Sequence, residues 1–207
     1  MSSPDFISSV WNSWTDRKLN EKERLLLETC LTLTIDHGSE PPSAHVARVV
    51  ASCGKPLADS VAAGLLTLGP RHGNAGSLAA GWLRDALLSK KAAAEVVTSS
   101  QERGERLAGI GHPVYEIDPR TTELFALAKE TFGSTPHCDF ISQVAEELSK
   151  VKGKKMPVNV DGAIAAIICE MGVPSELADA LFILARTAGL IKQSREEAAQ
   201  STTYKRG

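Results

Sequence analysis

The sequence predicts an all-α protein, and three observations lead to this fold class. Apolar residues recur at helical spacing, alanine is abundant, and the alternating β-branched patterns typical of strands are scarce. Two apolar stripes should form buried helix faces. They are Leu25, Leu26, Cys30 and Leu33, and then Leu177, Leu181, Leu184, Ala188 and Ile191.

Glycine and proline divide the chain into the predicted helices. The segment from Gly38 to Pro42 ends the first long helix, and Ser43 is a suitable N-cap for a second helix over 44–53. The later predicted helices are a segment that ends at Gly69-Pro70, followed by 77–90, 122–131, 139–151, 164–171 and 175–200.

Composition excludes several classes of protein. The 207 residues are enough for one large domain, or a main domain with a small appendage. A formal charge of −2 lacks the basic character of a nucleic-acid-binding protein. Four cysteines, Cys30, Cys53, Cys138 and Cys169, include no C-x-x-C pair. We therefore expect no metal site, no disulfide framework and a reducing compartment.

The apolar runs are too short for a membrane protein. The longest, Leu181 to Leu190, is interrupted by Arg186 and is well below the length that spans a bilayer. Asp5 and Trp11 stand where a secretory signal would carry basic and then apolar residues. These features predict a cytoplasmic protein without membrane or nucleic-acid partners.

Three loops combine glycine with titratable side chains, a composition that allows close backbone approach to a ligand. They are 68–76 with His72, 109–120 with His112 and Arg120, and 158–162 with Asp161.

These side chains match the needs of carbon–carbon chemistry next to a thioester. Such a reaction passes through an enol, so it needs a carboxylate for the carbon-bound proton and a donor for the enolic oxygen. It also needs an acid or base for the second carbonyl and arginines for substrate carboxylates. The candidates are His72, His112, Asp161, Arg120 and Arg186.

Structural roles are the alternative for each candidate. The histidines could be turn or packing residues, Asp161 could cap the helix that follows it, and Asp118-Pro119 is a common turn pairing. The Gly109-Ile110-Gly111 segment lacks the third glycine of a dinucleotide loop.

Four segments resemble citrate synthases and occur in the order of that family. Gly111-His112-Pro113-Val114-Tyr115 with Asp118-Pro119-Arg120 resembles the histidine–tyrosine–DPR signature. The segment 68–75 resembles the first histidine loop, 159–161 the segment of the catalytic aspartate, and 185–189 a substrate-arginine helix.

The resemblance extends over about 25–197 and is closer to citryl-CoA lyases and the C-terminal lyase portion of ATP-citrate lyase. Ile35-Asp36-His37-Gly38 with Ser43-Ala44-His45 resembles an upstream histidine segment of the lyases, and Gly162 is the lyase glycine after the aspartate. His72 is instead a synthase-like feature. The ATP-binding portions of ATP-citrate lyase are absent, so we expect no use of ATP.

The resemblance implies a single citrate synthase-like unit over 1–207, with a larger helical domain and a small mobile helical domain at about 90–175. It also implies a homodimer or higher homo-oligomer. The expected activity is cleavage of citryl-CoA to acetyl-CoA and oxaloacetate through an acetyl-CoA enol. The alternatives are a citrate synthase, a related condensing enzyme for another 2-oxoacid, and a non-catalytic acyl-CoA-binding protein.

The resemblance also implies roles for individual residues. His112 should accept the citryl hydroxyl proton, His72 should hydrogen-bond the thioester oxygen, and Asp161 should protonate the enol carbon. The residues expected to bind the oxaloacetate moiety are His37, Arg120 and Arg186. Those expected to bind coenzyme A are Leu107, Ala108, Gly109, Ile110, Gly111 and Lys155, with Lys152 and Lys154 as further candidates.

Overall fold

The computed structural model describes residues 5–69, 72–73 and 75–200 and confirms the all-α prediction. The described residues form ten helices, with β pairing restricted to isolated bridges. The helices are α1 (Phe6–Thr15), α2 (Glu21–Thr34), α3 (Pro42–Ser52), α4 (Leu57–Leu65), α5 (Ala75–Leu88), α6 (Ala93–Glu102), α7 (Pro119–Phe132), α8 (Pro136–Lys152), α9 (Val160–Glu170) and α10 (Glu176–Gln200). Pro70, Arg71 and Asn74 of the predicted first histidine loop lie outside the described residues.

Side-chain caps set the start of the two helices that follow the candidate loops. Asp118 caps α7 by accepting from the backbone N–H of Arg120, and Pro119 occupies the first helical position. Asn159 caps α9 by accepting from the backbone N–H of Gly162. Helix α9 therefore begins four residues before the predicted Ile164, which places Asp161 in its first turn.

Other boundaries and faces differ from the prediction. Helix α3 begins after Pro41, so Ser43 is a first-turn residue and its N-cap role is wrong. Leu25 and Ile191 are exposed, whereas the buried face of α10 contains Arg186, Gln193 and Glu197. A search for apolar stripes misses this face because several of its members are polar.

Helices α1 and α6 had no predicted counterpart. The buried side of α6 consists of Val96, Val97 and Ser100, and that of α1 of Ile7 and Trp11. So few large apolar residues give little periodic signal.

The chain divides into two compact units. Unit 1 contains the described residues of 1–30 and 75–178, and unit 2 those of 31–74 and 179–207. The core of unit 1 is α9, which is buried from Gly162 to Cys169 and packs against α5, α7 and α8. In unit 2, α3 packs on α4 around Ala44, Ala47, Val61 and Leu190. The mobile subdomain at about 90–175 stays a prediction.

Within the described ranges, no helix has the length and apolar character required to cross a bilayer. The same residues contain no group of three or more histidine, cysteine or acidic side chains placed to hold a metal ion.

Candidate active site

A short backbone pairing joins the two candidate loops of unit 1. The N–H of Gly111 donates to the carbonyl of Pro157 at 2.6 Å, and the N–H of Asn159 donates to the carbonyl of Gly109 at 3.0 Å. The Asn159 side chain adds two bonds, from Nδ2 to the Gly111 carbonyl and from the Gly162 N–H to Oδ1, both at 3.0 Å. The loop that leads to His112 is thereby fixed to the first turn of α9.

Glycine is required on both sides of this pairing. A Cβ on Gly162 would overlap the carbonyl oxygen of Gly109, and a Cβ on Gly109 would lie 2.7 Å from the Cα of Gly162. Gly109 also has a φ of +82°, which disfavours other residues. The two backbones therefore touch with no side chain between them.

His112 is held in one orientation by the backbone of its own loop. Its Nδ1 accepts from the N–H groups of Val114 at 3.1 Å and Tyr115 at 3.0 Å, and its ring stacks on the Tyr115 ring. A neutral imidazole carries one proton, so these contacts place it on Nε2. Burial lowers the pKa of His112, with opposing effects from the charges of Asp118 and Arg120.

Arg120 is fixed by a two-pronged contact with buried Asp118. Its Nε and Nη2 donate to the two oxygens of the Asp118 carboxylate at 2.9 and 2.8 Å. Burial tends to raise the pKa of Asp118, but the hydrogen bonds and charge of Arg120 outweigh it and the pKa is lowered. Nη2 of Arg120 also lies 3.5 Å from Nε2 of His112, where its charge opposes a second proton on that ring.

Asp161 belongs to the same group of side chains. It lies half-buried in the first turn of α9, where the positive end of the helix favours a carboxylate. Burial tends to lower the pKa of Arg120, but nearby negative charges, including that of Asp161, raise it overall. Unit 1 therefore brings together His112, Arg120 and Asp161.

Unit 2 holds the other predicted polar residues around Phe182. Nη2 of buried Arg186 donates to Nδ1 of His37 at 2.6 Å, and the Arg186 guanidinium lies 5.0 Å from the Phe182 ring centre. The rings of His37 and His72 lie 6.2 and 6.4 Å from the same ring. Phe182 thus provides an apolar surface shared by His37, His72 and Arg186.

Ser43 sets the protonation of His72. The Ser43 backbone N–H donates to Nε2 at 3.4 Å, and the Ser43 hydroxyl lies 2.9 Å from the same nitrogen. Nε2 is therefore the acceptor, and a neutral ring carries its proton on Nδ1. Burial, followed by the charge of Arg186, lowers the pKa of His72.

The residues predicted to bind coenzyme A take two different positions in unit 1. The Ala108 carbonyl accepts from Trp82, and the carbonyls of Gly109 and Gly111 both accept from Asn159. These bonds hold the loop in place. Lys155 is exposed and lines a cavity of about 990 Å³ between α7, α8 and the segment 153–158. None of the residues 107–111 lines that cavity.

Sequence reasoning overlooked three residues that contact the candidates. Asp118 was interpreted only as a turn residue, although an aspartate two positions before an arginine can cap a helix and pair with that arginine. Ser43 was assigned to a cap, and Phe182 carries no polar signal at all. Their contacts depend on packing between segments that are far apart in sequence.

A comparison with protein families identifies the family of this chain. The family model described as "Citrate synthase, C-terminal domain" matches residues 2–206. The chain belongs to the citrate synthase family. The predicted superfamily, and with it the expectation of an enzyme of that superfamily, is confirmed.

Two solved members of the citrate synthase superfamily show the same fold. The citryl-CoA lyase of Hydrogenobacter thermophilus has a TM-score of 0.91 and 36% identity, covering 100% of this chain and 81% of that one. The ATP citrate lyase of Methanosaeta concilii, solved in complex with (3S)-citryl-CoA, has a TM-score of 0.90 and 27% identity, covering 98% of this chain and 35% of that one.

The curated relatives are much longer than this chain. The ATP-citrate synthase beta chain protein 1 of Arabidopsis thaliana is 32% identical over 195 residues, which are 86% of this chain and 32% of that protein. The chain spans about a third or less of the length of the curated relatives it matches.

Gly162→Ala should damage the site through overpacking. The added methyl group meets the Gly109 carbonyl, so we expect a loss of about 1–3 kcal/mol in the free energy of unfolding, together with reduced turnover. Urea unfolding measures the loss of stability, and an activity assay measures the turnover.

The control is Gly81→Ala in α5, where no atom lies within 4 Å of the new Cβ. This control should be neutral or stabilise by up to about 1 kcal/mol, and equal behaviour of the two variants would contradict the account.

The lowered pKa of His72 predicts a pH-dependent stability. The unfolded chain, with an ordinary histidine pKa of 6.5, binds more protons than the folded protein as the pH falls below that value. Stability should therefore decline as the pH falls from 6.5 toward the lowered folded-state pKa. His72→Gln should reduce the slope of unfolding free energy against pH between about pH 7 and 5.5; an unchanged slope would show that His72 titrates normally in the folded state.

Proposed function

We propose that this chain is a citryl-CoA lyase that cleaves citryl-CoA to acetyl-CoA and oxaloacetate. The observation that carries the proposal is the likeness to the Hydrogenobacter thermophilus citryl-CoA lyase over the whole of this chain and 81% of that one. The two groups of side chains, each described within its own unit, supply the donors, the carboxylate and the arginines that the reaction needs.

The reaction breaks the bond between the hydroxyl-bearing carbon and the CH₂ group next to the thioester. The hydroxyl loses its proton and becomes the carbonyl of oxaloacetate, while the bonding electrons pass to the thioester as an enolate. Proton transfer at one oxygen and stabilisation of another are therefore the two demands on the protein.

His112 is proposed to act on the hydroxyl oxygen through Nε2. Because Nδ1 accepts from two backbone N–H groups, the neutral ring presents Nε2–H as a donor. In the condensation direction it gives this proton to the oxaloacetate carbonyl. In the cleavage direction the steps run in reverse: Nε2 first releases its proton to solvent, then takes the hydroxyl proton, and the neutral Nε2–H ring is restored.

His72 is proposed to hold the thioester oxygen. With Nε2 accepting from the Ser43 N–H, the neutral ring offers Nδ1–H, and the lowered pKa keeps the ring neutral near pH 7. A neutral donor stabilises an enol without requiring a charged residue in a half-buried position.

Asp161 is proposed to deliver the proton to the enol carbon and to act as the base in the reverse direction. After delivery it is a carboxylate in the first turn of α9, which favours negative charge. His37, Arg120 and Arg186 are proposed to bind the carboxylates of the oxaloacetate moiety. Asp118 and Phe182 hold the two guanidinium groups in place.

Coenzyme A is the proposed carrier of the acyl group. The 107–111 loop is proposed to receive the adenine, and Lys155 to meet a phosphate at the rim of the cavity beside α8. We further propose a cytoplasmic homodimer or higher homo-oligomer, with exposed leucines of α4 and α5, Leu57, Leu78 and Leu88, as interface candidates.

Citrate synthesis is the second candidate function. The tautomer of His112 favours it, because the neutral ring already has the form that donates to oxaloacetate. The same groups serve condensation and cleavage, but citrate synthesis adds a step that the lyase reaction lacks, in which water hydrolyses the citryl-CoA thioester to citrate and free coenzyme A.

Asp161→Asn should remove citryl-CoA cleavage without unfolding the protein. A positioned proton-transfer group contributes about 10²–10⁴-fold to the rate, so kcat should fall by that factor while circular dichroism stays unchanged. Release of acetyl-CoA and oxaloacetate is measured beside the reverse reaction. The matched control, Asp85→Asn on the exposed side of α5, should retain full activity. Coenzyme A binding without turnover by the wild-type protein would instead indicate an acyl-CoA-binding protein.

Lys155→Gln should weaken binding of the coenzyme A substrate. An exposed charge pair is worth about 0.2–1 kcal/mol, so KM for citryl-CoA should rise by roughly 1.5- to 5-fold with little change in kcat. Lys91→Gln is the control, since Lys91 is exposed and does not line the cavity. An equal change in KM for both variants would indicate a general charge effect and would reject a specific phosphate contact.

A further inference from the structure

A segment of unit 2 that contains His37 lies along one face of α10. This face carries Arg186, Gly189 and Gln193, which are spaced by three and four residues and so project to the same side of the helix. A Cβ on Gly189 would overlap the carbonyl oxygen of Ile35. The backbone that enters the His37 segment therefore touches the helix directly at Gly189.

We propose that Gln193 is a positioning residue that fixes the segment 36–38 and so holds His37 against Arg186. The inference rests on the proposed function, in which His37 and Arg186 bind the oxaloacetate moiety. Gln193 would act on His37 through its two neighbours in the chain, Asp36 and Gly38.

The Gln193 amide holds the residues on both sides of His37. Its Nε2 donates to Oδ1 of Asp36 at 3.0 Å and to the carbonyl of Gly38 at 3.2 Å. Gln193 is 4% exposed, so water competes little for these bonds. Loss of this donor removes the two bonds that tie the segment 36–38 to α10, although Oδ1 of Asp36 keeps its bond from the Gly38 N–H.

An ion pair between half-buried Arg48 and buried Glu197 fixes which way the amide faces. Nη1 of Arg48 donates to Oε1 of Gln193 at 3.2 Å, and Nη2 of Arg48 pairs with the Glu197 carboxylate at 2.7 Å. Because arginine can only donate, the amide oxygen must face Arg48 and the NH₂ group must face the His37 segment. The orientation is thus set by Glu197 through Arg48.

Asp36 is a suitable acceptor for this amide. A hydrogen bond from Lys192 outweighs burial and holds the pKa of Asp36 at about 2, so the carboxylate is ionised near pH 7. Oδ1 also accepts from the Gly38 N–H at 2.9 Å, closing a tight turn around His37. Lys192 approaches Asp36 from the solvent side, where its side chain is 56% exposed.

The first test reads the state of the His37 ring without relying on activity. Because Nδ1 accepts from Arg186, the neutral ring should be protonated on Nε2, which side-chain ¹⁵N NMR detects after assignment with His37→Asn. Gln193→Met, which removes all three hydrogen bonds, should broaden this signal or mix the two tautomers. Gln193→Glu keeps the size and the contact with Arg48 but turns a carboxylate oxygen toward Asp36 and Gly38, and should act in the same way. The control Lys192→Met should leave the signal unchanged.

The second test separates substrate positioning from general structure. In the condensation assay, Gln193→Met and Gln193→Glu should raise KM for oxaloacetate at least about fivefold, while KM for acetyl-CoA stays within about twofold. A fall in kcat with both KM values unchanged, together with an unchanged His37 signal, would indicate a merely structural role and overturn the inference.

The two tests also distinguish this inference from the proposed function. A His37 signal that is unchanged in both Gln193 variants overturns the positioning role, whatever the kinetics show. A changed signal with unchanged KM for oxaloacetate supports positioning of His37 and overturns its proposed substrate role. Absence of any turnover in the wild-type protein overturns the proposed function, while the NMR comparison still decides the role of Gln193.

Discussion

The contact between the backbones of Gly109 and Gly162 is the constraint on which the geometry of unit 1 depends. His112 follows the first glycine by three residues and Asp161 directly precedes the second, so the distance between their segments is set where two backbones touch. Asn159 reinforces the contact because one side chain bonds to both segments. Packed interiors do not deform continuously, and even one added methyl group must therefore move one of the two segments.

Backbone hydrogen bonds decide the chemistry available to the two candidate catalytic histidines. Nδ1 of His112 accepts from two backbone N–H groups, so Nε2 is the donor of that ring. Nε2 of His72 accepts from one backbone N–H group, so Nδ1 is the donor of that ring. Burial lowers the pKa of both rings, which favours neutral imidazoles near pH 7. Each unit thus offers one uncharged imidazole donor and one arginine, which is held by Asp118 in unit 1 and lies on the Phe182 ring in unit 2.

The sequence was sufficient for the fold class and for most helices, because glycine and proline mark their ends. It also singled out His112 and Arg120 in one short segment, but the cap and ion pair by which Asp118 fixes Arg120 were not predicted. The contacts of Ser43, Phe182 and Gln193 could not be predicted in the same way. Each joins segments that are distant in the chain, and the buried face of α10 is partly polar, so a search for apolar stripes selects other positions.

Cleavage of citryl-CoA in D₂O tests the central claim most directly. If Asp161 protonates an acetyl-CoA enol, wild-type protein should release acetyl-CoA with one deuterium in its methyl group, together with oxaloacetate, and Asp161→Asn should slow this release strongly. Mass spectrometry of the quenched products measures the label. Release of citrate and free coenzyme A would show thioester hydrolysis instead, and acetyl-CoA without deuterium would show that no enol is protonated from exchangeable groups. Either result would contradict the account.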